Sequence, residues 1–231
     1  MNKRKFFTGN QLKVIAAVAM MIDHIGAALF PNLSVLRIIG RLAYPIFAYM
    51  IVEGFEHTKN RKKYLLRMVV MAMFLQLVYG VVMKSLYQCI FVTFSLSIAL
   101  CMLADNAMKH SNPVNLTAFA LSVVMVWFAT NILPGTLNKT DFWIDYGFFG
   151  VMLPVVVFMA KTKVGKLITF VVMLCLLWAD CGGIQGYALA TALLIALYNG
   201  ERGRLKMKNF FYIFYPAHMA AIYMIQLLIE K

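Results

Sequence analysis

The sequence predicts an all-α integral membrane protein, a bundle of about nine transmembrane helices with its N-terminus inside and its C-terminus outside. Three observations lead there. Of 231 residues, 62% are hydrophobic and 13% charged, far from the roughly half apolar and one-quarter charged usage of soluble domains. Apolar windows close to the twenty or so residues that cross about 30 Å of hydrocarbon recur from one end to the other. Basic residues are also sorted between alternate loops, as the positive-inside rule requires. No stretch is left over for a soluble domain, so residues 1–231 are read as a single domain without internal repeats.

The first window lies near residues 11–30. Its basic leader, MNKRKFFTGNQ, has no small-residue cleavage site before the next polar segment, so it reads as a first helix and not as a removed signal peptide. Further windows follow near 35–57, 63–83, 86–108 and 114–133. A sixth, near 143–161, opens with Asp145-Tyr146-Gly147, where Asp145 is expected to cap the helix N-terminus. Only ADCGG separates the windows near 164–180 and 184–199, and the last covers 208–229. With the N-terminus inside, the cytoplasmic segments hold fifteen Lys and Arg and the outer ones three: Lys84, Lys139 and Lys231. Missing or inventing one helix would destroy that asymmetry. A net charge of +13 would point to nucleic acid in a soluble protein; here basic inner loops account for it, and no nucleic-acid partner is expected. The expected location is the cytoplasmic (inner) membrane, with multiple passes. Cys89, Cys101, Cys175 and Cys181 form no CxxC pair and read as structural thiols.

The informative residues are those that lipid penalises, since an ionisable group at the centre of a helix costs at least about 2.5–3.5 kcal/mol. They are Lys13, Asp23, His24, Arg37, Arg41, Glu53, Asp145 and His218, with His57 and Arg67 at the inner edge. Lys13 and His24 are eleven residues apart, about three turns plus 20°, so they share a face some 16 Å apart along the axis. Lys13 either snorkels to the headgroups or marks a cationic mouth, and His24 either satisfies a neighbour or works as a base. Asp23 points about 100° off that stripe. Arg37 and Arg41 share a face of the second window, and Pro45 frees the carbonyl of Arg41. At a depth similar to that of His24, Arg41 has Asp23 as its nearest counterion, either as a salt bridge or as part of an anion site. His218, beside Tyr215 and Pro216, brings a second imidazole near mid-membrane, either as a core hydrogen-bonder or as a catalyst.

TGNQLK, IDHIG, LRIIGRLAYPIFAYMIVEGFEHT, KKYLLR, DYGFFGVMLPVV and FYIFYPAHM occur in that order over nearly the whole chain, most densely in residues 8–67. Together they resemble the TraX family. TraX-type proteins are associated with N-terminal acetylation of conjugative pilin and look like compact relatives of the transmembrane acyltransferase group. That group is marked by a basic residue, ten intervening residues and a histidine, matched here by Lys13 and His24. The resemblance implies acetyl-CoA, or another acyl-CoA, as cytosolic co-substrate and an amine or hydroxyl of a peptide or glycan as acceptor. It implies His24 as general base with Asp23 or a neighbour orienting it, Arg41 or His218 stabilising the thioester oxyanion, and Lys13 holding a CoA phosphate. Arg37, Arg61 and Lys62 complete the expected co-substrate contacts. An acyl-imidazole on His24 is the competing mechanism.

Two rivals come from other classes. A transporter or proton-coupled permease would also use an intramembrane Asp, His and Arg relay, but paired broken helices in corresponding halves are missing from the sequence. A haem protein would use His24 and His218 as axial ligands. No metal is expected, and oligomerisation is open.

Overall fold

The computed structural model describes residues 6–204 and 210–229; Lys3, Arg4, Lys5, Lys206, Lys208 and Lys231, counted above in loops and ends, lie outside the described residues. Those described are mostly helical, with no strand among them. In chain order the helices are α1 (Gly9–Ala28), α2 (Ser34–Gly40), α3 (Ala43–His57), α4 (Arg61–Val78), α5 (Ile90–Lys109), α6 (Pro113–Trp127), α7 (Leu133–Thr136), α8 (Gly147–Met159), α9 (Lys163–Cys181), α10 (Thr191–Ala196) and α11 (Phe210–Ile229). A 3₁₀ segment, Gly183–Ala190, leads into α10.

Six stretches are long and apolar enough to cross a membrane: Gly9–Ala28, Ser34–His57, Arg61–Met83, Ile90–Lys109, Pro113–Thr136 and Lys163–Cys181. This is a multi-pass membrane protein. The other three predicted windows hold shorter apolar helices, Gly147–Met159, Gly183–Ala196 and Ile213–Ile229 within the described residues.

Two departures from regular α-helix sit where proline removes a backbone donor. The second window breaks at Arg41-Leu42, because Pro45 has no N–H for the Arg41 carbonyl and its ring crowds that oxygen. The break is tightened by short-range bonds from Arg41 N to Ile38 O (3.1 Å) and from Leu42 N to Ile39 O (3.2 Å). Pro134 likewise has no N–H for Thr130, and the preceding Phe128–Ile132 widens into a π-helical turn.

The chain divides into two compact units, Met1–Met50 with Cys181–Lys231, and Ile51–Asp180. In the first, α1 packs on α2 and α11. Its N-terminal amides are satisfied twice over. Thr8 and Gln11 form a capping box, while Gly9 N and Asn10 N donate to the carbonyls of Glu201 (2.8 Å) and Arg202 (2.9 Å). Gly26 and Gly40 let α1 and α2 approach closely: a Cβ on Gly26 would lie 2.7 Å from that of Leu36, and one on Gly40 would overlap the Asp23 side chain.

In the second unit α5 is the buried element, packed by α4, α6 and α8, while α4, α6 and α9 turn residues such as Leu66, Leu121 and Ile168 outward. Lipid tails are as apolar as leucine, so an outward apolar face is expected of a spanning helix and packing must come from fit and hydrogen bonds. Ser97 Oγ supplies one, donating to Val151 O of α8 (2.8 Å). The connection before α8 is clasped by Asp141, whose carboxylate accepts from the Ser85 hydroxyl and from Leu86 N; these bonds hold its carboxyl below the usual range. Asp145 does not cap α8. Tyr146 occupies that position in left-handed conformation (φ 61) with no side-chain cap bond, and Asp145 instead meets the Tyr87 hydroxyl, which with burial pushes that phenol up. Left-handed Tyr146 and positive-φ Gly147 make the tight turn that opens α8.

Candidate active site

The first unit brings five sequence-predicted residues together around α1. Asp23 is clamped by two guanidinium groups from α2 and its C-terminal turn. Arg41 Nη2 donates to both carboxylate oxygens (2.9 and 3.0 Å), and Arg37 Nη1 reaches Oδ2 at 2.8 Å and the Asp23 carbonyl at 3.1 Å. Arg41 also donates through Nε to Arg37 O and through Nη1 to Gln185 Oε1, each at 3.2 Å. All three of its nitrogens are thus committed. The Asp23 and Arg41 side chains are both 13% exposed, which makes this a desolvated ion pair and not a surface contact.

On the adjacent residue, His24 Nδ1 lies 2.7 Å from His218 Nε2 of α11. The ring planes are within 10° of each other and the centroids 5.0 Å apart, the separation reached when the bond runs along the line joining two coplanar rings. His218 Nδ1 lies 2.7 Å from Phe214 O, one helical turn earlier, and the Phe214 ring covers the His218 ring at 4.8 Å. Tyr215 closes the pocket edge-on against both imidazoles.

These two bonds fix the tautomers of the neutral pair. A carbonyl can only accept, so His218 Nδ1 carries its hydrogen and His218 Nε2 is the acceptor. His24 Nδ1 therefore donates, and the lone pair of His24 lies on Nε2. That atom has no hydrogen-bond partner among the described residues. His218 is buried and His24 only partly so, leaving one ring of the dyad reachable.

The geometry differs from the sequence-based expectation at three points. Asp23 does not orient His24, because its carboxylate is taken by two arginines; His218 does so, and is oriented in turn by a backbone carbonyl. His218 in this tautomer has no donor left for an oxyanion. The Arg41 bonds to Asp23, Gln185 and Arg37 hold it within the ion-pair cluster. Direct bonding of the two histidines also leaves no gap between them for a haem.

Lys13 is half-buried on α1, about 16 Å of helix rise from His24. Arg37 is the more open guanidinium, its side chain 32% exposed. Arg61 and Lys62 belong to the other unit, where they line a cavity of about 480 Å³ together with Thr58, Asn60, Asp105 and Asn106. There Arg61 is held by Asp105 (2.5 Å) over the Phe55 ring, and Lys62 is exposed. Glu53 and Glu56 pair with Lys166 at 4.0 and 2.5 Å, which gives the C-terminal end of α3 a structural role.

Gln185 escaped the sequence reading because only ionisable groups were weighed there. The signal was an amide inside GGIQG, in an otherwise apolar window.

Helical, multi-pass and carrying a buried His-His and Asp-Arg cluster, the chain fits a class of membrane proteins with polar chemistry inside the bilayer. The family model described as TraX protein matches residues 8–226, and the chain belongs to the TraX family. It is similar to the probable fimbrial assembly protein FimC, serogroup H1, of Dichelobacter nodosus, 29% identical over 241 residues that span 96% of this chain and 97% of that one. A shorter likeness, 50% identity over 44 residues, covers 19% of this chain and 18% of the uncharacterized protein RP591 of Rickettsia prowazekii (strain Madrid E). No solved structure matches the chain.

Proposed function

We propose that the chain is a membrane-embedded acyltransferase that moves an acetyl or other acyl group from cytosolic acyl-CoA to an amine or hydroxyl of an acceptor. The observation that carries this reading is the reachable lone pair on His24 Nε2, fixed by the bond to His218. Family membership supports it. The D. nodosus relative, by its name a fimbrial assembly protein, makes the N-terminal amine of a pilus subunit the first acceptor to test, ahead of a sugar.

The acceptor nitrogen attacks the thioester carbonyl carbon while the C=O electron pair moves onto oxygen. His24 Nε2 takes the proton that the nitrogen sheds. Its positive charge is shared along the bond to His218, whose other nitrogen rests on the Phe214 carbonyl. When the carbon–oxygen double bond re-forms, the carbon–sulfur bond breaks. The thiolate then leaves with the proton from His24, so the products are an amide and free CoA and the histidine returns unchanged.

Lys13 serves as a point charge for a CoA phosphate at the inner end of α1, and Arg37 as a second anion contact. Lys13→Ala should raise the KM for acetyl-CoA about tenfold with kcat within a few-fold, because a remote phosphate contact supplies binding and not chemistry. Calorimetric titration of acetyl-CoA into the detergent-purified protein checks it. Unchanged affinity moves the nucleotide to Arg61 and Lys62, and no binding at all sinks the acyl-transfer reading and favours a permease.

In this reading the three shorter apolar helices complete nine crossings in one domain of the inner membrane, N-terminus inside and C-terminus outside. The loop charges support it. A C-terminal alkaline phosphatase fusion should be active and a C-terminal green fluorescent protein fusion dark; the opposite pattern overturns the odd count.

A further inference from the structure

Gln185 is buried, 4% exposed, yet its side-chain Nε2 has no hydrogen-bond partner among the described residues. The orientation of the amide is not arbitrary. Arg41 Nη1 can only donate, so the atom 3.2 Å from it must be the oxygen; turning the amide over would set donor against donor. Arg41 therefore aims an unused NH₂ group away from itself, inside a membrane protein where a buried donor lacks water to fall back on. The turn that delivers it is stiffly made: Gly182 and Gly183 both take positive φ (67° and 50°), and Gln185 N bonds back to Gly182 O at 3.2 Å.

The amide belongs to the same cluster as His24. Gln185 bonds Arg41, Arg41 bonds Asp23, and Asp23 precedes His24 in α1. Within this cluster His218 has no donor left, and Arg41 is held by its bonds to Asp23, Gln185 and Arg37. Arg37 keeps unused N–H groups, but it is the open member of the clamp, a third exposed, where solvent screens it. An oxyanion is stabilised most by a fixed, desolvated donor already pointing at it.

We infer that Gln185 Nε2 is the hydrogen-bond donor for the thioester carbonyl oxygen of the acyl donor, held in place by Arg41. This rests on the acyltransferase reading and supplies the oxyanion contact that it otherwise lacks. As the acceptor nitrogen adds and charge builds on oxygen, the bond from Nε2 shortens and strengthens; it relaxes when the thiolate leaves.

Two substitutions separate donor from acceptor. Gln185→Glu keeps an oxygen for Arg41 and removes the NH₂ group, and Gln185→Met keeps the volume and removes both. The direct readout is the infrared carbonyl band of carbonyl-¹³C acetyl-CoA bound to the full-length protein in detergent. In wild type the band should move to lower wavenumber than that of free acetyl-CoA in the same buffer. In both variants the displacement should vanish with affinity held within about threefold, and kcat should fall on the order of 10²-fold, as for loss of one oxyanion donor.

An undisplaced band in wild type overturns the assignment without recourse to any variant, and is what an amide that merely holds a water would give. A displacement that survives both substitutions assigns the contact to another donor, Arg37 first. Failure of wild type to bind acetyl-CoA sinks the acyl-transfer reading and this inference with it, whereas binding with an undisplaced band sinks the inference alone.

Discussion

His24→Ala should reduce acyl transfer to background, a loss on the order of 10²–10⁴-fold in kcat, with acetyl-CoA binding within error of wild type and a modest loss of thermal stability. The size follows from the loss of the imidazole nitrogen of the dyad that keeps a reachable lone pair; the structural cost is that the buried His218 Nε2 loses the hydrogen bond that His24 Nδ1 donates to it. His218 acts through His24 and is a positioning residue. Its removal should cost less, roughly ten- to a hundred-fold, because His24 then keeps its base but loses the bond that fixes tautomer and ring angle. His218→Gln offers an oxygen to His24 Nδ1 and should recover part of the rate, and the pH profile of kcat/KM should move in His218→Ala and move back in His218→Gln. Activity within a few-fold of wild type in His24→Ala removes the general-base role; an acyl adduct trapped on His24 in wild type points instead to the covalent route.

The site was legible in the sequence as far as lipid penalises its members. Any Asp, Arg or His inside an apolar window stands out, which is why Asp23, Arg37, Arg41, His24 and His218 could be named, and why depth alone paired Asp23 with Arg41. What depth cannot supply is hydrogen-bond direction. Whether Asp23 served His24 or the arginines was decided by the close approach of α2 to α1, which depends on the missing Cβ atoms of Gly26 and Gly40. The His24 to His218 bond joins residues 194 positions apart, and no periodicity along one helix reports a contact between two. Backbone partners are equally silent: the Phe214 carbonyl orients His218 through an atom that every residue has. Helices fall in the predicted windows because each window is a local property, although six of the stretches are long and apolar enough to cross a membrane and the other three hold shorter helices. The break at Arg41-Leu42 was foreshadowed by Pro45, whereas the misassigned role of Asp145 turned on the left-handed Tyr146, which no residue preference signals.

Asp23→Ala should be the most destabilising single change in the first unit. It leaves the guanidinium groups of Arg37 and Arg41, one helical turn apart on α2 and its C-terminal turn, without the carboxylate between them, and removing one partner of a buried pair costs about 3–5 kcal/mol. That is a large share of the roughly 5–15 kcal/mol that holds a typical domain together, so the protein should aggregate on extraction or melt well below wild type. The cost belongs to the stranded charges and not to the lost bonds, and this can be separated by experiment. Adding Arg41→Met to Asp23→Ala removes the more deeply buried of the two cations and should recover much of the thermal stability in detergent, although the double variant has fewer polar contacts than the single one. Asp23→Asn should fall between them, since the amide keeps an acceptor oxygen for Arg41 but not the charge. A melting temperature for Asp23→Ala equal to that of wild type contradicts the clamp. If such a stable variant had also lost acyl transfer, Asp23 would return to the catalytic role that its position beside His24 first proposed, and the arginines would have to be read as ligand contacts in place of structural partners.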